Sequence, residues 1–390
     1  MNSKINKILV LLLLTYVTNS CTETYALQTD TYEEAIVIEA TLTNEFKKQE
    51  IKVTKTARFE DEGVTVEKGA NVIVKDDQGN EYSFIEQSGI YVSQTEFTVT
   101  PGRAYYLEIV TKDGKIYKSS NETLTTETPI TSIVPSVASN KQGTGIQINV
   151  NSYDPNNTSK YYRYEYEETY KIIAPRWTSF DAAVTGPQSV ELVPRSPDTK
   201  VCYATKKSTD IILTTTGNQT EDRVNFPIRF IEENNYIISH RYSILVKQYV
   251  ENLEAYTFHK TMKEISSSSS VLSPKQPGVI SGNIKCISNI DEKVIGFFDV
   301  ATVSSQRIFF NYTDFFPSNP QPSYVTTCED IPFKFCFGGE DCEGETMIYK
   351  LVNKNVVYIS NGGIKYIMVN SECGDCTTFS SNIIPSFWKN

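Results

Sequence analysis

A mainly all-β fold is predicted: an immunoglobulin-like sandwich, then a larger β-rich region with one helix and a cysteine-rich tail. Three observations carry this. The chain of 390 residues uses 24 Tyr and 19 Phe against 2 Trp, with abundant Thr, Val and Ile, which suits pleated half-buried surfaces. Short alternating runs recur with turn signals about every ten residues, the pattern of a sandwich. Only one stretch has apolar residues at helical spacing. The length is comfortable for two or three domains, so a sizeable core needs no staples.

Taken in order, residues 1–20 read as a secretory signal. Lys4 and Lys7 give a positive start, and Ile8 to Val17 form an apolar run of roughly ten residues, too short to span a membrane. Thr18-Asn19-Ser20 leads to Cys21, an arrangement that resembles a bacterial lipobox, although lipoboxes usually carry Leu where Thr18 stands. Lipidation of Cys21 would anchor the chain in the outer membrane, each buried methylene adding about 0.8 kcal/mol. Cleavage after Thr24-Tyr25-Ala26, releasing a soluble protein, is the alternative. Residues 21–33 then read as a polar tether.

Charge narrows the partners. The net charge is −10, and removing Lys4 and Lys7 with the signal leaves 35 basic against 47 acidic residues, a net of −12. No basic stripe occurs, so nucleic acid and anionic lipid head groups are poor partners, and no nucleic-acid partner is expected. The acidity itself serves solubility.

The sandwich is expected over 34–126. Ile36-Val37-Ile38-Glu39-Ala40 and Ile51-Lys52-Val53-Thr54 are strand segments. Asp76-Asp77-Gln78-Gly79-Asn80 and Lys112-Asp113-Gly114 are hairpin turns with Gly where positive φ is needed. Asn121 to Ser139, rich in Thr, Ser and Pro, reads as a linker. The second region, 140–390, opens with Ile146-Gln147-Ile148-Asn149-Val150 and a turn at Asp154-Pro155-Asn156-Asn157.

In Tyr161 to Tyr170, Tyr162, Tyr164 and Tyr166 share one strand face, with Arg163, Glu165 and Glu167 on the other. That tyrosine face has two readings. It could stack on sugar rings, or it could line a core edge with its hydroxyls reaching water. Tyr236 to Val250 reads as one long strand. A helix follows near 252–265, with Asn252 as its cap and Ala255, Phe258, Met262 and Ile265 along one face. After Ser266 to Ser270, Pro274 and Pro277-Gly278 reject further helix. Val294 to Phe298 and Arg307 to Phe310 read as two more strands.

Beyond Asn311 lies the cysteine-rich tail, 311–390. With Cys21 set aside, seven cysteines remain, so at least one thiol is left out of internal pairing. Export favours disulfides among Cys202, Cys328, Cys336, Cys342, Cys373 and Cys376, with Cys336/Cys342 and Cys373/Cys376 as the local pairs. Cys373-x-x-Cys376 is also compatible with a redox dithiol, but Thr377-Thr378-Phe379 is a poor helix start. A zinc site combining it with Cys336 and Cys342 would have loose spacing. Glu340, Asp341, Glu343 and Glu345 form an acidic loop out of register with an EF-hand. His240 and His259 have no matched partner in the sequence, and neither a nucleophile elbow nor an HExxH motif occurs. The expectation is no catalytic residue, no metal and no cofactor.

These blocks together resemble a family of domain-of-unknown-function outer-membrane lipoproteins of Bacteroidota, often encoded beside TonB-dependent receptors. The resemblance runs through the signal ending at Cys21, Ile36 to Ala40, Tyr242 to Gln248, Pro277 to Ile284, Val294 to Phe298, Cys373-x-x-Cys376 and Pro385-Ser386-Phe387-Trp388. It implies a location and a companion: the outer membrane, on a face left open, and a TonB-dependent β-barrel transporter. It carries no catalytic residues. A stand-alone adhesin or glycan binder using Tyr162, Tyr164 and Tyr166 is the alternative.

Overall fold

The structure is a computed structural model that describes residues 34–56, 65–195, 198–267, 280 and 282–389. The signal segment, Cys21, the 21–33 tether, Pro274 and Pro277-Gly278 lie outside the described residues. The fold is mainly β, as composition and alternation predict.

The first nine strands are β1 (Ile36–Thr43), β2 (Glu50–Lys55), β3 (Thr65–Val66), β4 (Asn71–Asp76), β5 (Glu81–Gln87), β6 (Ile90–Ser93), β7 (Ala104–Val110), β8 (Ile116–Ser119) and β9 (Glu122–Thr123). The next group is β10 (Ile130–Asn140), β11 (Gly143–Asp154), β12 (Tyr161–Ile173), β13 (Phe180–Gly186), β14 (Ser189–Pro194), β15 (Val201–Lys207), β16 (Ile212–Thr215), β17 (Asp222–Glu232) and β18 (Arg241–Glu251). Helix α1 (Leu253–Ser267), β19 (Ile284–Cys286) and β20 (Val294–Asn311) follow. The tail adds β21 (Ile331–Lys334), α2 (Gly344–Val352), β22 (Val356–Gly362), β23 (Lys365–Asn370) and the single turn α3 (Ser371–Gly374).

One sheet runs through most of the molecule, in the order β15-β12-β18-β20-β1-β2-β6-β5-β4-β7-β8-β19. Its β1-to-β19 part wraps round a first core that includes Ile38, Leu42, Val53, Val72, Leu107 and Ile109. That core also takes Ile284 and Cys286 from β19 and Val294, Phe298 and Val300 from β20. The boundary expected near residue 126 is therefore corrected: the first sandwich is completed by chain from far downstream. The two strands read separately at Val294 and Arg307 are one, because β20 pairs with parallel β1 over Val294–Ala301 and with antiparallel β18 over Thr302–Asn311.

The linker read over 121–139 is also corrected. Its Ile and Val residues are good strand formers, and Ile130–Asn140 pairs with β11, burying Ile133. The sheet β10-β11-β17 faces β12, β18 and the second half of β20 across a second core. That core holds Ile146, Ile148, Tyr162, Tyr164, Ile244 and Phe310. The long strand expected from Tyr236 begins only at Arg241. Asn235 accepts a hydrogen bond from Ile237 N and caps a 3-10 turn over Tyr236–Ile238 instead. Helix α1 forms where the spacing places it, with Ala255 N donating to Asn252 Oδ1 at 2.8 Å.

A third, smaller core joins the β13–β14 hairpin to the sheet β21-β23-β22 and α2, around Ala182, Phe333, Met347, Tyr358 and Met368. The local pairing read for Cys373 and Cys376 is corrected, since each reaches elsewhere. Cys376 bonds Cys202 of β15, and Cys373 bonds Cys328. Cys336 bonds Cys342, and Cys286 is a free, buried thiol in the first core. These partners are set by the lobes meeting in space, which the Cys-x-x-Cys spacing does not contain. Trp388 closes the tail edge-on against Tyr203 and Phe309.

Candidate functional site

Strands β12 and β18 are antiparallel, with Tyr161 opposite Glu251, Arg163 opposite Tyr249 and Glu165 opposite Lys247. Alternation puts those six side chains on one face and Tyr162 and Tyr164 on the other. Helix α1 begins immediately after β18 and folds back over the charged face, where Phe258 packs on Phe297 of β20 and Tyr256 on Tyr161. A cleft of about 750 Å³ opens beside it. Its apolar wall includes Phe258, Met262, Ile295 and Phe297, and its polar wall includes Arg163, Glu165, Lys207, Lys247, Tyr249 and His259.

Under the helix these side chains form a tight ionic cluster. Arg163 Nε donates to Glu251 Oε1 at 2.6 Å, and its Nη1 donates to Glu165. Its guanidinium lies 4.2 Å from the centre of the Tyr249 ring, and the Tyr249 hydroxyl donates to Glu165 Oε2 at 3.0 Å. His259 Nδ1 stands 2.8 Å from Glu251 Oε1. Burial pushes the Glu251 carboxyl up, but His259 and Arg163 outweigh it and hold the carboxyl below its ordinary value. At the rim, burial raises Glu45, while Lys47 and Lys247 more than offset this and lower it. The arginine is engaged on both sides and stacked, so the cluster positions strands and helix instead of presenting a free guanidinium. His259, with Nδ1 turned to Glu251, also lines the cleft.

Of the two readings of the tyrosine face, the core reading holds, and the ligand-facing reading is corrected, as is the expectation that the Tyr162 and Tyr164 hydroxyls reach water. Tyr162 and Tyr164 are buried in the second core, donating to Asp222 Oδ1 at 2.8 Å and to Gln248 Oε1 at 3.0 Å. Tyr166 is half-buried, with the Arg229 guanidinium 5.8 Å from its ring centre. The three do not form a sugar-stacking surface, because the sheet β10-β11-β17 covers them. His240 stands apart from the cleft; burial first, then Lys171, lowers its pKa. In the acidic loop, Glu343 accepts from Lys334 N, and among the described residues no three His, Cys, Asp or Glu side chains gather as a metal site. Sequence reasoning passed over Glu251, Asp299 and the part played by Arg163 and His259. One signal was there: Asp299 is a lone acid inside the apolar run Val294 to Val303.

The fold and cleft define a class: fused β-sandwiches sharing one sheet, with a helix seated on a buried ionic seam. The chain belongs to the family of the domain of unknown function DUF4249, whose model matches residues 22–307. The match takes in both sandwiches and α1 and ends within β20, ahead of the tail strands. No curated protein matches the chain.

Proposed function

We propose that this chain is a lipid-anchored outer-membrane protein that binds a TonB-dependent transporter as a non-enzymatic accessory in nutrient uptake. The observation that carries the reading is the segment from Lys4 to Cys21, a charged start and short apolar run ending on a cysteine. The resemblance to envelope lipoproteins supports the choice of companion. So does the architecture: lobes joined through one sheet make a stiff body suited to holding a partner in a fixed pose. A lipid on Cys21 would confine both proteins to one membrane, so a modest contact reaches high occupancy through effective concentration.

The test is gentle detergent extraction of native membranes, capture on a C-terminal tag and mass spectrometry of what co-elutes. Stoichiometric recovery of a β-barrel transporter is the expected result. Recovery of the chain alone, with lipid on Cys21, would sink the partnership and leave an independent surface binder. Unchanged membrane retention of a Cys21→Ala variant would sink the anchor.

A further inference from the structure

Asp299 lies in β20 with its side chain turned to the α1 side of the sheet, and the residue is 1% exposed. Neither of its carboxyl oxygens has a well-formed hydrogen bond among the described residues, the Val300 N–H helping the carboxylate only weakly, and Glu251 Oε2 likewise has no partner. Register explains why these atoms crowd one place. Val250 pairs with Thr302, so Glu251 falls opposite Ala301, one diagonal step from Asp299 on the same face. A buried Asp299 carboxylate without a well-formed hydrogen bond, beside a Glu251 carboxylate whose Oε1 alone is satisfied, would be severely unfavourable, whereas a protonated Asp299 beside that carboxylate is tolerable.

The charged groups around Asp299 come from every neighbouring element. Glu251 of β18 and Arg163 of β12 form an ion pair. Glu122 of β9 accepts from Ser120, Asn252 and Asn283. His259 of α1 stands 2.8 Å from Glu251 Oε1. On β1 the register partner is Thr41, and Glu39, two residues away, is paired with Lys52 of β2. Arg163 and His259 both engage Glu251, whereas among the described residues no cation is paired with Asp299.

We propose that a proton held on Asp299 keeps helix α1 seated on the sheet, so that the helical wall of the cleft is released as that proton is lost. With the proton in place, α1 closes over the seam through Ala255, Phe258 and His259. Without it, the cheapest relief is to admit water, and α1 is the cover most easily lifted because only one of its faces is packed. Burial above all, reinforced by Glu251 and opposed by Arg163, pushes the Asp299 carboxyl up to about 8. The seated state then keeps a proton that the opened state gives up between the ordinary carboxylate range and about pH 8. Seating weakens as pH rises through that window, by at most about tenfold per unit.

Hydrogen exchange of the α1 amides in the full chain, corrected for intrinsic rates, tests this at pH 6 and pH 9. The wild type should show at least a tenfold rise in α1 opening at pH 9, with β4 and β7 unchanged, and Asp299→Asn should show none. The same rise in Asp299→Asn, or no rise in the wild type, overturns the proposal. So does a rise abolished by His259→Gln but kept in Asp299→Asn, which would make the histidine the trigger. Should Asp299→Asn fail to fold, an infrared titration of the wild type decides. A protonated-carboxyl band present at pH 7 and lost by pH 9 supports the proposal, and its absence at pH 7 overturns it.

Discussion

At the scale of the residue, burial decides what a polar side chain does here. Tyr164 is 1% exposed and its hydroxyl meets Gln248, so Tyr164→Ala should lower unfolding free energy by about 3–5 kcal/mol in denaturant titrations. A loss under about 1 kcal/mol would show that the ring is not part of the core. Asp154 shows the opposite balance. Burial raises its carboxyl, but backbone N–H groups of Asn156, Thr158 and Ser159 and the Thr158 hydroxyl hold it down at about 2. A depressed carboxylate contributes stability above its unfolded value and loses it as pH falls through the folded one. Between about pH 4 and pH 2 the wild type should lose up to about 2 kcal/mol that Asp154→Asn never has, measured as converging melting temperatures on acidification. The turn at Asp154 was legible from Asp-Pro-Asn-Asn, and the shared face of the tyrosines was legible from alternation. Which face would be covered was not, because that depends on the sheet β10-β11-β17 packing over β12, and alternation within β12 alone leaves both faces open to it.

At the scale of the element, close backbone approach and cross-links carry the weight. Gly296 sits where β20 meets β1, and a Cβ there would lie 2.3 Å from the Ile38 carbonyl oxygen. Gly296→Ala forces the two strands apart and should cost about 1–3 kcal/mol, with exchange protection falling first in β1. Protection unchanged in β1 would disprove that reading. Cys202–Cys376 closes a separation of 174 residues and Cys336–Cys342 one of only 6. On the chain-entropy account, replacing the first pair by serine should lose about 5 kcal/mol and the second about 2, so the long bridge should dominate in urea unfolding. Helix α1 was readable because cap and apolar spacing agree. Strand β10 was not, since Thr, Ser and Pro are shared by linkers and edge strands, and Pro135 is tolerated because β10 pairs only with β11.

At the scale of the whole molecule, the central fact is that β20 serves two cores at once. A fragment of residues 34–126 lacks β19 and β20, leaving β1 without its parallel partner and the first core without Phe298 and Val300. Expressed alone it should give broad, poorly dispersed amide spectra, whereas residues 34–389 should melt both sandwiches together; a well-dispersed fragment spectrum would refute this. The all-β class was legible from composition, but this non-sequential assembly was not, because parallel pairing across some 250 residues leaves no local periodicity. The same strand also has a mechanical meaning. β1 and β20 run side by side in the same direction, with eight registered pairs from Ile36–Val294 to Thr43–Ala301. Tension entering at the start of β1 and leaving from the end of β20 loads all of those contacts in shear, together, and does not peel them one by one. A chain tethered to a membrane at its front and gripped by its tail would behave as an inextensible strap. In force spectroscopy, pulling between its two ends should meet a higher rupture force than pulling across β1 and β20 at right angles.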